Sequence, residues 1–528
     1  MAGGYEYVDN IKESQLAPVF ENEVCVTDGG NTCNSGKRAE YQIVSLCVTR
    51  DTRCVFVLRL LGAVTMYEAD EMGSFASSKP AQVYQVEAVD VNGMREFGAT
   101  GMCSSLHFDI FSQNFKDRYL FLAIQTAAPY GDDVTGVARI VRLDVSAGRA
   151  TKGLVRVKTK IIYERSHPDI LANAHNLHAG VAFDFTTENN KTYEGLIMPF
   201  GDLFKASKYC ENKEHDYGKL LLMDYDGNSF SKSVFDTGYE NNMHLAYGNR
   251  NMYQLARVEN DPLRRFTWSE NGNSIMRTCF MTLATPRQRY HLGWTKAVDT
   301  MRWRTIVDPV TGKAAVLYTG YDSAGVWTTV LDGMPSYVPQ PLENSAYVLV
   351  SYMASKNSRE TRSQRINLQV IQNFSAQPSM ELVETVVERS PTQKAASAPM
   401  AAVLTSNGFV FGDVFTGNLY EAVITGRLAR NADLIAMDSE NSTCADCWTC
   451  ADYDMTNALL CTTGIAVLAG VTSLVLVAAY ATKVPRWSYL LCMALALSLM
   501  VAVLGMVGWS HQTVQVNQHY IRNFLGLQ

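Results

Sequence analysis

Short runs rich in β-branched and aromatic residues recur along this chain from about residue 40 to residue 425. Turn-forming Gly, Asn and Asp separate these runs, and no helical pattern of comparable length interrupts them. Examples are CVFVLRLLGAV, RYLFLAIQTA, KLLLMDY and AYVLVSYMA. The chain has 528 residues, which is more than one ordinary core holds, so the pattern requires several β domains or one large repetitive β fold.

Strand pairs followed by turns over this length predict a β-propeller, because radial closure leaves few exposed sheet edges. About six blades of roughly 65–70 residues each would fill the span, which is longer than the usual ~40–50-residue repeats. The predicted fold class is therefore all-β, a six-bladed β-propeller. A tandem of two β-sandwiches is the alternative, and periodicity alone does not separate the two.

Two uncharged runs follow the β-rich region, from Asn457 to Tyr480 and from Ser488 to Trp509. Each reaches the roughly 20 apolar residues that a bilayer core requires. Trp487 and Trp509 bracket the second run, where interfacial aromatic residues belong. We predict that the propeller is followed by a two-helix transmembrane hairpin, with the short loop ATKVPRW between its helices.

Charge predicts how this hairpin is oriented. The loop carries Lys483 and Arg486, whereas the segment DSENSTCADCWTCADYDMTN before the first run has no basic residue. The positive-inside rule therefore predicts that the propeller lies on the non-cytoplasmic side. The polar N-terminus lacks the pattern of a signal peptide or a mitochondrial presequence. The mitochondrial intermembrane space and the secretory lumen or cell surface both stay open, and sequons at Asn190, Asn373 and Asn441 are usable only in the second.

The chain has 12 cysteines, of which Cys461 and Cys492 fall in the predicted membrane helices. The others suggest disulfides in an extracytoplasmic domain, although sequence does not give their pairing. The run Cys444-Ala-Asp-Cys447-Trp-Thr-Cys450 resembles part of a metal or iron–sulfur site. Such sites need four ligands, and no fourth Cys or His lies nearby before the first apolar run. We predict disulfides, with metal binding as the alternative.

The formal net charge is −6, from 46 basic and 52 acidic side chains. This balance gives no electrostatic reason to expect nucleic acid as a partner, and none of the composition totals points to a reaction. The predicted segments are an N-terminal extension 1–24, a β-propeller 25–430, a Cys-rich linker 431–456, transmembrane helices 457–480 and 488–509, and a C-terminal tail 510–528.

Seven local strings stand in order between residue 101 and residue 421. They are GMCSSLHFD (101–109), AHNLHAGVAF (174–183), GD (201–202), GKLLLMDYDG (218–227), AYGNRN (246–251), WSENG (268–272) and FGD with GNLYE (411–421). In this order they resemble segments of the glucose/sorbosone dehydrogenase-like propellers, the family of the soluble quinoprotein glucose dehydrogenases. The resemblance covers roughly residues 50–425 and implies a six-bladed propeller with a central site on its loop face. The predicted membrane hairpin lies outside it.

The resemblance also implies a chemistry. In that family pyrroloquinoline quinone (PQQ) lies over the propeller centre near a calcium ion, a His acts as general base on a sugar hydroxyl, and an Arg stabilises negative charge. Arg250 matches the Arg directly, and either His175 or His178 matches the base. We favour His178, which is nearer the following strand. A His is the usual proton acceptor near neutral pH. A structural Arg between blade loops and an ordinary loop His are the alternatives.

The cofactor segment departs from the family pattern. Asn271, Gly272 and Asn273 occupy the positions that face quinone and calcium in catalytic relatives, so the resemblance implies them as cofactor-binding residues. However, Ser274-Ile-Met-Arg277 stands where the family has an acidic run, and Met252 replaces a Pro. PQQ and calcium are the implied cofactors, but no calcium-supporting carboxylate can be assigned.

Two functions from different classes follow. We favour a binding or accessory subunit of a membrane protein complex with a degenerate catalytic site, because the calcium segment is altered and a fold does not carry its function with it. The alternative is a PQQ-dependent sugar (aldose) dehydrogenase, which the retained Arg250 and the two histidines support. Its anchor would deliver electrons near a membrane quinone pool.

Overall fold

The computed structural model describes residues 5–7, 17–20 and 42–430 of the chain, with internal gaps. Helix is scarce in this part, and its pieces are short: a 3-10 helix at Phe115–Arg118 and α-helices at Pro168–Ala172 and Ala206–Tyr209. The gaps are 76–77, 79, 87–97, 131–132, 148–154, 173–175, 259–260, 262, 272–275, 284–285, 298–299, 304, 321–322, 331–343, 355–363, 375, 390–398, 407, 414–416, 418 and 424–427.

Strands account for most of the described structure. In chain order they are β1 Tyr5–Tyr7, β2 Ala17–Phe20, β3 Ile43–Val48, β4 Cys54–Arg59, β5 Ala63–Glu68, β6 Ala81–Gln85, β7 Gly98–Ser104, β8 Tyr119–Tyr130, β9 Asp133–Ala147, β10 Val155–His167, β11 Val181–Thr186, β12 Thr192–Phe200, β13 Lys219–Asp224, β14 His244–Tyr247, β15 Met252–Arg257, β16 Phe266–Asn271, β17 Met276–Met281, β18 Tyr290–His291, β19 Trp294–Ala297, β20 Thr300–Trp303, β21 Val316–Gly320, β22 Ser323–Val330, β23 Ala346–Ala354, β24 Gln364–Gln372, β25 Ser379–Arg389, β26 Pro399–Leu404, β27 Gly408–Asp413, β28 Leu419–Val423 and β29 Leu428–Arg430.

Most of these strands form antiparallel sheets of four strands, the blades. Blade 1 is β3–β6, blade 2 is β7–β10, blade 3 is β11–β14, blade 4 is β15, β16, β17 and β21, blade 5 is β22–β25, and blade 6 is β26–β28 with β2. The first strands of successive blades contact one another in the order β3, β7, β11, β15, β22 and β26, and β26 contacts β3. This closed ring confirms the predicted six-bladed propeller and excludes the tandem of β-sandwiches.

The ring is closed by a strand from the other end of the chain. β2 pairs antiparallel with β28, with Ala17 opposite Glu421 and Pro18 opposite Tyr420. Blade 6 therefore takes its outermost strand from residues 17–20, inside the segment predicted as an N-terminal extension. This pairing joins the two ends of the propeller sequence within one blade, which helps to keep the ring closed.

The core lies in layers between neighbouring blades. Phe56 and Leu122 belong to the layer between blades 1 and 2, and Phe121 and Leu221 belong to that between blades 2 and 3. All six residues of β4 are buried, because an inner blade position is covered on both faces. Strands buried on both faces appear in sequence as continuous apolar runs rather than alternating ones.

Chain direction separates the connections onto two faces of the propeller. Neighbouring strands are antiparallel, so successive connections leave alternate ends of the blades. Two kinds of connection share one face: those from the second to the third strand of a blade, and those from its fourth strand to the next blade. We call this face the site face. Asn190, between β11 and β12, and Asn373, between β24 and β25, are exposed on the opposite face.

The chain divides into two compact units, Met1–Asn431 and Ala432–Gln528. The second unit contains the predicted Cys-rich linker, membrane helices and tail, all of which lie outside the described residues. Within the described part of the chain, no helix is long and apolar enough to cross a bilayer.

Candidate functional site

The site face brings together strings that are far apart in sequence. Gly201 N donates to Asn176 O at 2.9 Å, and Asp202 N donates to Arg250 O at 3.0 Å. Arg250 N in turn donates to Glu270 Oε1 at 2.7 Å. Four of the strings that carry the family resemblance, AHNLHAGVAF, GD, AYGNRN and WSENG, are therefore joined by hydrogen bonds on one face.

His178 lies in the connection that enters β11, and only 1% of its surface is exposed. Its ring centroid is 4.5 Å from that of Tyr253, and its Nδ1 lies 3.4 Å from Thr100 O. The backbone here is tightly held, because Ala179 N donates to Tyr253 O and a Cβ at Gly101 would lie 2.2 Å from Ala179 N. His178 is thus covered by protein, and only Gly fits at position 101.

Arg250 is also enclosed, with 5% of its surface exposed. Its guanidinium carbon lies 4.9 Å from the Trp294 ring centroid and 5.8 Å from that of Phe204, which is cation–π geometry. Trp294 Nε1 donates to Asp202 Oδ2 at 2.8 Å. Leu203 and Phe204 both have positive φ, 53° and 59°, a conformation that costs non-Gly residues energy. The strained turn holds Phe204 beside the guanidinium.

A buried ion pair supports the connection that carries Arg250. Glu270 and Arg277 have 0% and 2% of their surfaces exposed, and Arg277 Nη2 lies 2.9 Å from Glu270 Oε2. The other carboxylate oxygen of Glu270 accepts hydrogen bonds from Arg250 N and Asn251 N. Arg277 stands where the family has its acidic run, and here it is directed into the core. Sequence reasoning did not identify Glu270, although it lies inside the WSENG string.

The connection from β17 to β21 is a long insertion, residues 282–315. It leaves blade 4, runs along the outer edge of blade 3 and reaches the site face. Its strand β18 adds to blade 3 in parallel with β14, with Ala246 opposite Tyr290 and Tyr247 opposite His291. The next strand, β19, begins at Trp294, the residue that packs on Arg250. The sequence signal for this insertion is the length of the connection between β17 and β21, because hairpin connections usually have 2–5 residues.

Asn249 lies in the connection that carries Arg250, and Lys219 lies beside it. Lys219 is fully buried, and its Nζ donates to the carbonyl oxygens of Tyr209 at 2.6 Å and Tyr217 at 2.8 Å. Burial lowers the pKa of Lys219 to about 8. Asn249 Nδ2 donates to Phe200 O at 3.0 Å. These side chains satisfy backbone carbonyls at the end of β12, at the end of the helix Ala206–Tyr209 and just before β13, which is a structural role.

A second titratable cluster lies between blades 2 and 3. Asp216 accepts hydrogen bonds from Tyr163 Oη at 2.8 Å and Arg165 Nε at 2.6 Å, and its Oδ1 lies 2.7 Å from His244 Nε2. Burial alone would raise the pKa of Asp216, but its contacts with His244, Arg165 and Tyr163 lower it to about 2. His244 is fully buried, so this His–Asp pair is closed to solvent.

The remaining predicted site residues are only partly placed. His175, Gly272 and Asn273 lie outside the described residues. Asn271 ends β16, where it pairs with Met276 of β17. Among the residues that the structure describes, no group of three or more His, Cys, Asp or Glu side chains is arranged to hold a metal ion.

The described cysteines are free thiols, so the prediction of disulfides is wrong for them. All five are buried, where Cys behaves as a small apolar residue. Burial raises the thiol pKa to about 12 at Cys54, Cys103 and Cys279. The other seven cysteines, including the Cys444–Cys450 run, lie outside the described residues. The free thiols are Cys47, Cys54, Cys103, Cys210 and Cys279.

Comparison with known proteins finds likeness only among solved structures. No family model and no curated protein sequence matches this chain. An oxidoreductase (glucose dehydrogenase) structure from Thermus thermophilus is 11% identical, covering 77% of this chain and 98% of that one, with a TM-score of 0.47. The Cps50 (Swd1) β-propeller domain of Myceliophteria thermophila is 11% identical, covering 75% and 98%, with a TM-score of 0.29. Likeness at this distance adds no argument about function.

Proposed function

We propose that this chain is a binding or accessory subunit of a membrane protein complex, with a propeller whose dehydrogenase site is degenerate. The observation that carries the proposal is the burial of His178, with 1% of its surface exposed. A general base must come within about 2.6–3.2 Å of the proton-bearing group. A sugar hydroxyl would have to displace protein around His178, including the Tyr253 ring at 4.5 Å.

The surroundings of Arg250 support the same proposal. An Arg that stabilises charge on a substrate needs donors directed at that substrate. Here the guanidinium packs against Trp294 and Phe204, and the backbone N–H of Arg250 is held by Glu270. This is the geometry of an Arg that bridges blade loops.

The alternative is a PQQ-dependent sugar dehydrogenase, and the convergence of four family-like strings on one face favours it. In that proposal His178 or His175 is the base, Arg250 stabilises charge, and the Asn271–Asn273 segment contacts quinone and calcium. The described side chains do not fit this cofactor well, because His178 and Arg250 are enclosed. The proposal requires the closed face to rearrange when quinone binds.

A turnover assay separates the two functions. We would incubate the full-length chain in detergent with PQQ and calcium, add aldoses, and follow reduction of a redox dye, with a soluble quinoprotein glucose dehydrogenase as positive control. We expect no aldose-dependent reduction. Quinone-dependent turnover that disappears in His178→Ala and Arg250→Met would overturn the accessory role.

The membrane part of the proposal has its own tests. We propose that helices 457–480 and 488–509 anchor the chain with the propeller on the non-cytoplasmic side. Solubilisation of the native membrane in mild detergent should release the chain in an assembly larger than its own 58.5 kDa, and a monomer alone would contradict the subunit role. Glycan at the exposed Asn190 or Asn373 would place the propeller in the secretory pathway rather than the intermembrane space.

A further inference from the structure

A pocket of about 230 Å³ opens within the insertion that carries β18. It is distinct from the surroundings of His178 and Arg250, which do not line it. The lining residues are Met281, Arg289, Tyr290, His291, Thr305, Ile306, Val307 and Pro309.

One side of this pocket is apolar. Met281 at the end of β17, Tyr290 in β18 and Ile306 in the insertion are buried, with 1%, 1% and 5% of their surfaces exposed. Val307 is 52% exposed and lies at the rim. These three residues have almost no surface left to cover, so an apolar ligand body would cover mainly Val307 and the exposed Pro309, which is favourable in proportion to the area removed from water.

The rim carries a cation that the described protein does not neutralise. Arg289 is exposed, and its Nε donates to Gly238 O at 2.8 Å. This contact fixes the guanidinium and leaves its two terminal nitrogens for another partner. Among the described residues, no carboxylate lies within ion-pair distance of Arg289. Arg287, two residues away, does have a carboxylate partner, because its Nε lies 3.9 Å from Asp236 Oδ2.

His291 adds a second polar group. Gly293 N donates to His291 Nδ1 at 3.0 Å, so the neutral ring carries its proton on Nε2. Glu211 Oε1 lies 3.7 Å from that Nε2 and accepts a hydrogen bond from Thr295 Oγ1. Glu211 is thus hydrogen-bonded to Thr295 and lies near His291, and Arg289 is the arginine that lines the pocket.

We propose that this pocket binds a small monocarboxylate with an apolar body, with its carboxylate on the terminal nitrogens of Arg289. The apolar body covers Val307 and Pro309. A planar guanidinium suits a carboxylate because two parallel hydrogen bonds form. The ligand would rest on β18, the strand through which the insertion reaches the site face. This proposal is independent of the proposed function.

Calorimetric titration of the full-length chain in detergent tests the proposal with three probes of one shape: benzoate, benzyl alcohol and benzylamine. Heats from the same titrations into detergent alone are subtracted. We expect benzoate to bind, with the alcohol and the amine weaker by at least about tenfold, the range of a hydrogen bond to a charged group. Equal binding of all three probes, or no binding of benzoate, would overturn the proposal.

Matched variants show whether Arg289 is the carboxylate partner. Arg289→Gln should weaken benzoate by about tenfold or more and leave benzyl alcohol unchanged. Arg287→Gln, two residues away and not lining the pocket, should change neither. Val307→Trp should fill the pocket and weaken both probes. Benzoate binding that survives in Arg289→Gln would contradict the assigned contact even if the pocket itself takes ligands.

Discussion

The substitution Asp216→Asn keeps the shape of a buried side chain and removes the charge that holds blades 2 and 3 together at this point. In the native chain Tyr163 and Arg165 of β10 hydrogen-bond to one carboxylate oxygen of Asp216, and His244 of β14 contacts the other. An amide can accept on one side only and carries no charge, so the variant loses the ion pair with Arg165 and keeps the His244 contact only if His244 Nε2 accepts.

The magnitude follows from the pKa of Asp216. A folded-state pKa of about 2, against about 3.9 in the unfolded chain, corresponds to roughly 2–3 kcal/mol of stability at pH 7. Because the folded pKa is depressed, this contribution is complete above the unfolded pKa and is lost as pH falls through the folded pKa. At pH 3 about half of it should remain.

The assay is urea unfolding of the full-length chain in detergent at several pH values, followed by Trp fluorescence. We expect Asp216→Asn to lower the free energy of unfolding by about 2–3 kcal/mol at pH 7, and the difference from wild type to shrink to about half at pH 3. Asp226→Asn is the control, because Asp226 pairs with Arg142 and Lys160 at the surface and should cost about 1 kcal/mol or less. A difference for Asp216→Asn that does not change with pH would refute the reasoning.

Three further substitutions or reagents probe other contacts. Gly101→Ala would place a Cβ 2.2 Å from Ala179 N, so the thermal midpoint should fall by the equivalent of about 1–3 kcal/mol; an unchanged midpoint would contradict the close packing. Trp294→Phe removes the indole donor to Asp202 and should cost about 1–2 kcal/mol in urea unfolding, whereas no loss would mean that this hydrogen bond is not formed. Cys279, with its pKa raised to about 12 by burial, should resist iodoacetamide at pH 8 until the chain is unfolded, as read by mass spectrometry; labelling of the native chain would show that it is accessible.

The blades could be predicted from sequence because their strands are buried on both faces and appear as apolar runs. β4 shows this most clearly, since every residue in it is buried. The closing strand Ala17–Phe20 could not be predicted, because four residues, one of them Pro, have no recognisable periodicity. β18 has two residues, and only tertiary contacts make it a strand.

The candidate site was predictable in position but not in environment. The resemblance of the strings implied one central site on the loop face, and the structure has His178 and Arg250 on the same face. Their burial depends on residues distant in sequence, such as Tyr253 against His178 and Trp294 against Arg250. Long-range packing of this kind has no local pattern. The disulfide prediction was wrong for the described cysteines for a related reason, since cysteine count carries no information on which thiols are buried and left unpaired.

Binding of PQQ to the full-length chain tests the closed site face most directly, because binding comes before any turnover. Calorimetric titration of PQQ in the presence of calcium, with the Tyr253→Ala variant alongside, measures whether the region around His178 admits the quinone. We expect no saturable binding to the wild-type chain. Saturable binding of one quinone per wild-type chain, abolished by Arg250→Met, would contradict a degenerate site and support the dehydrogenase.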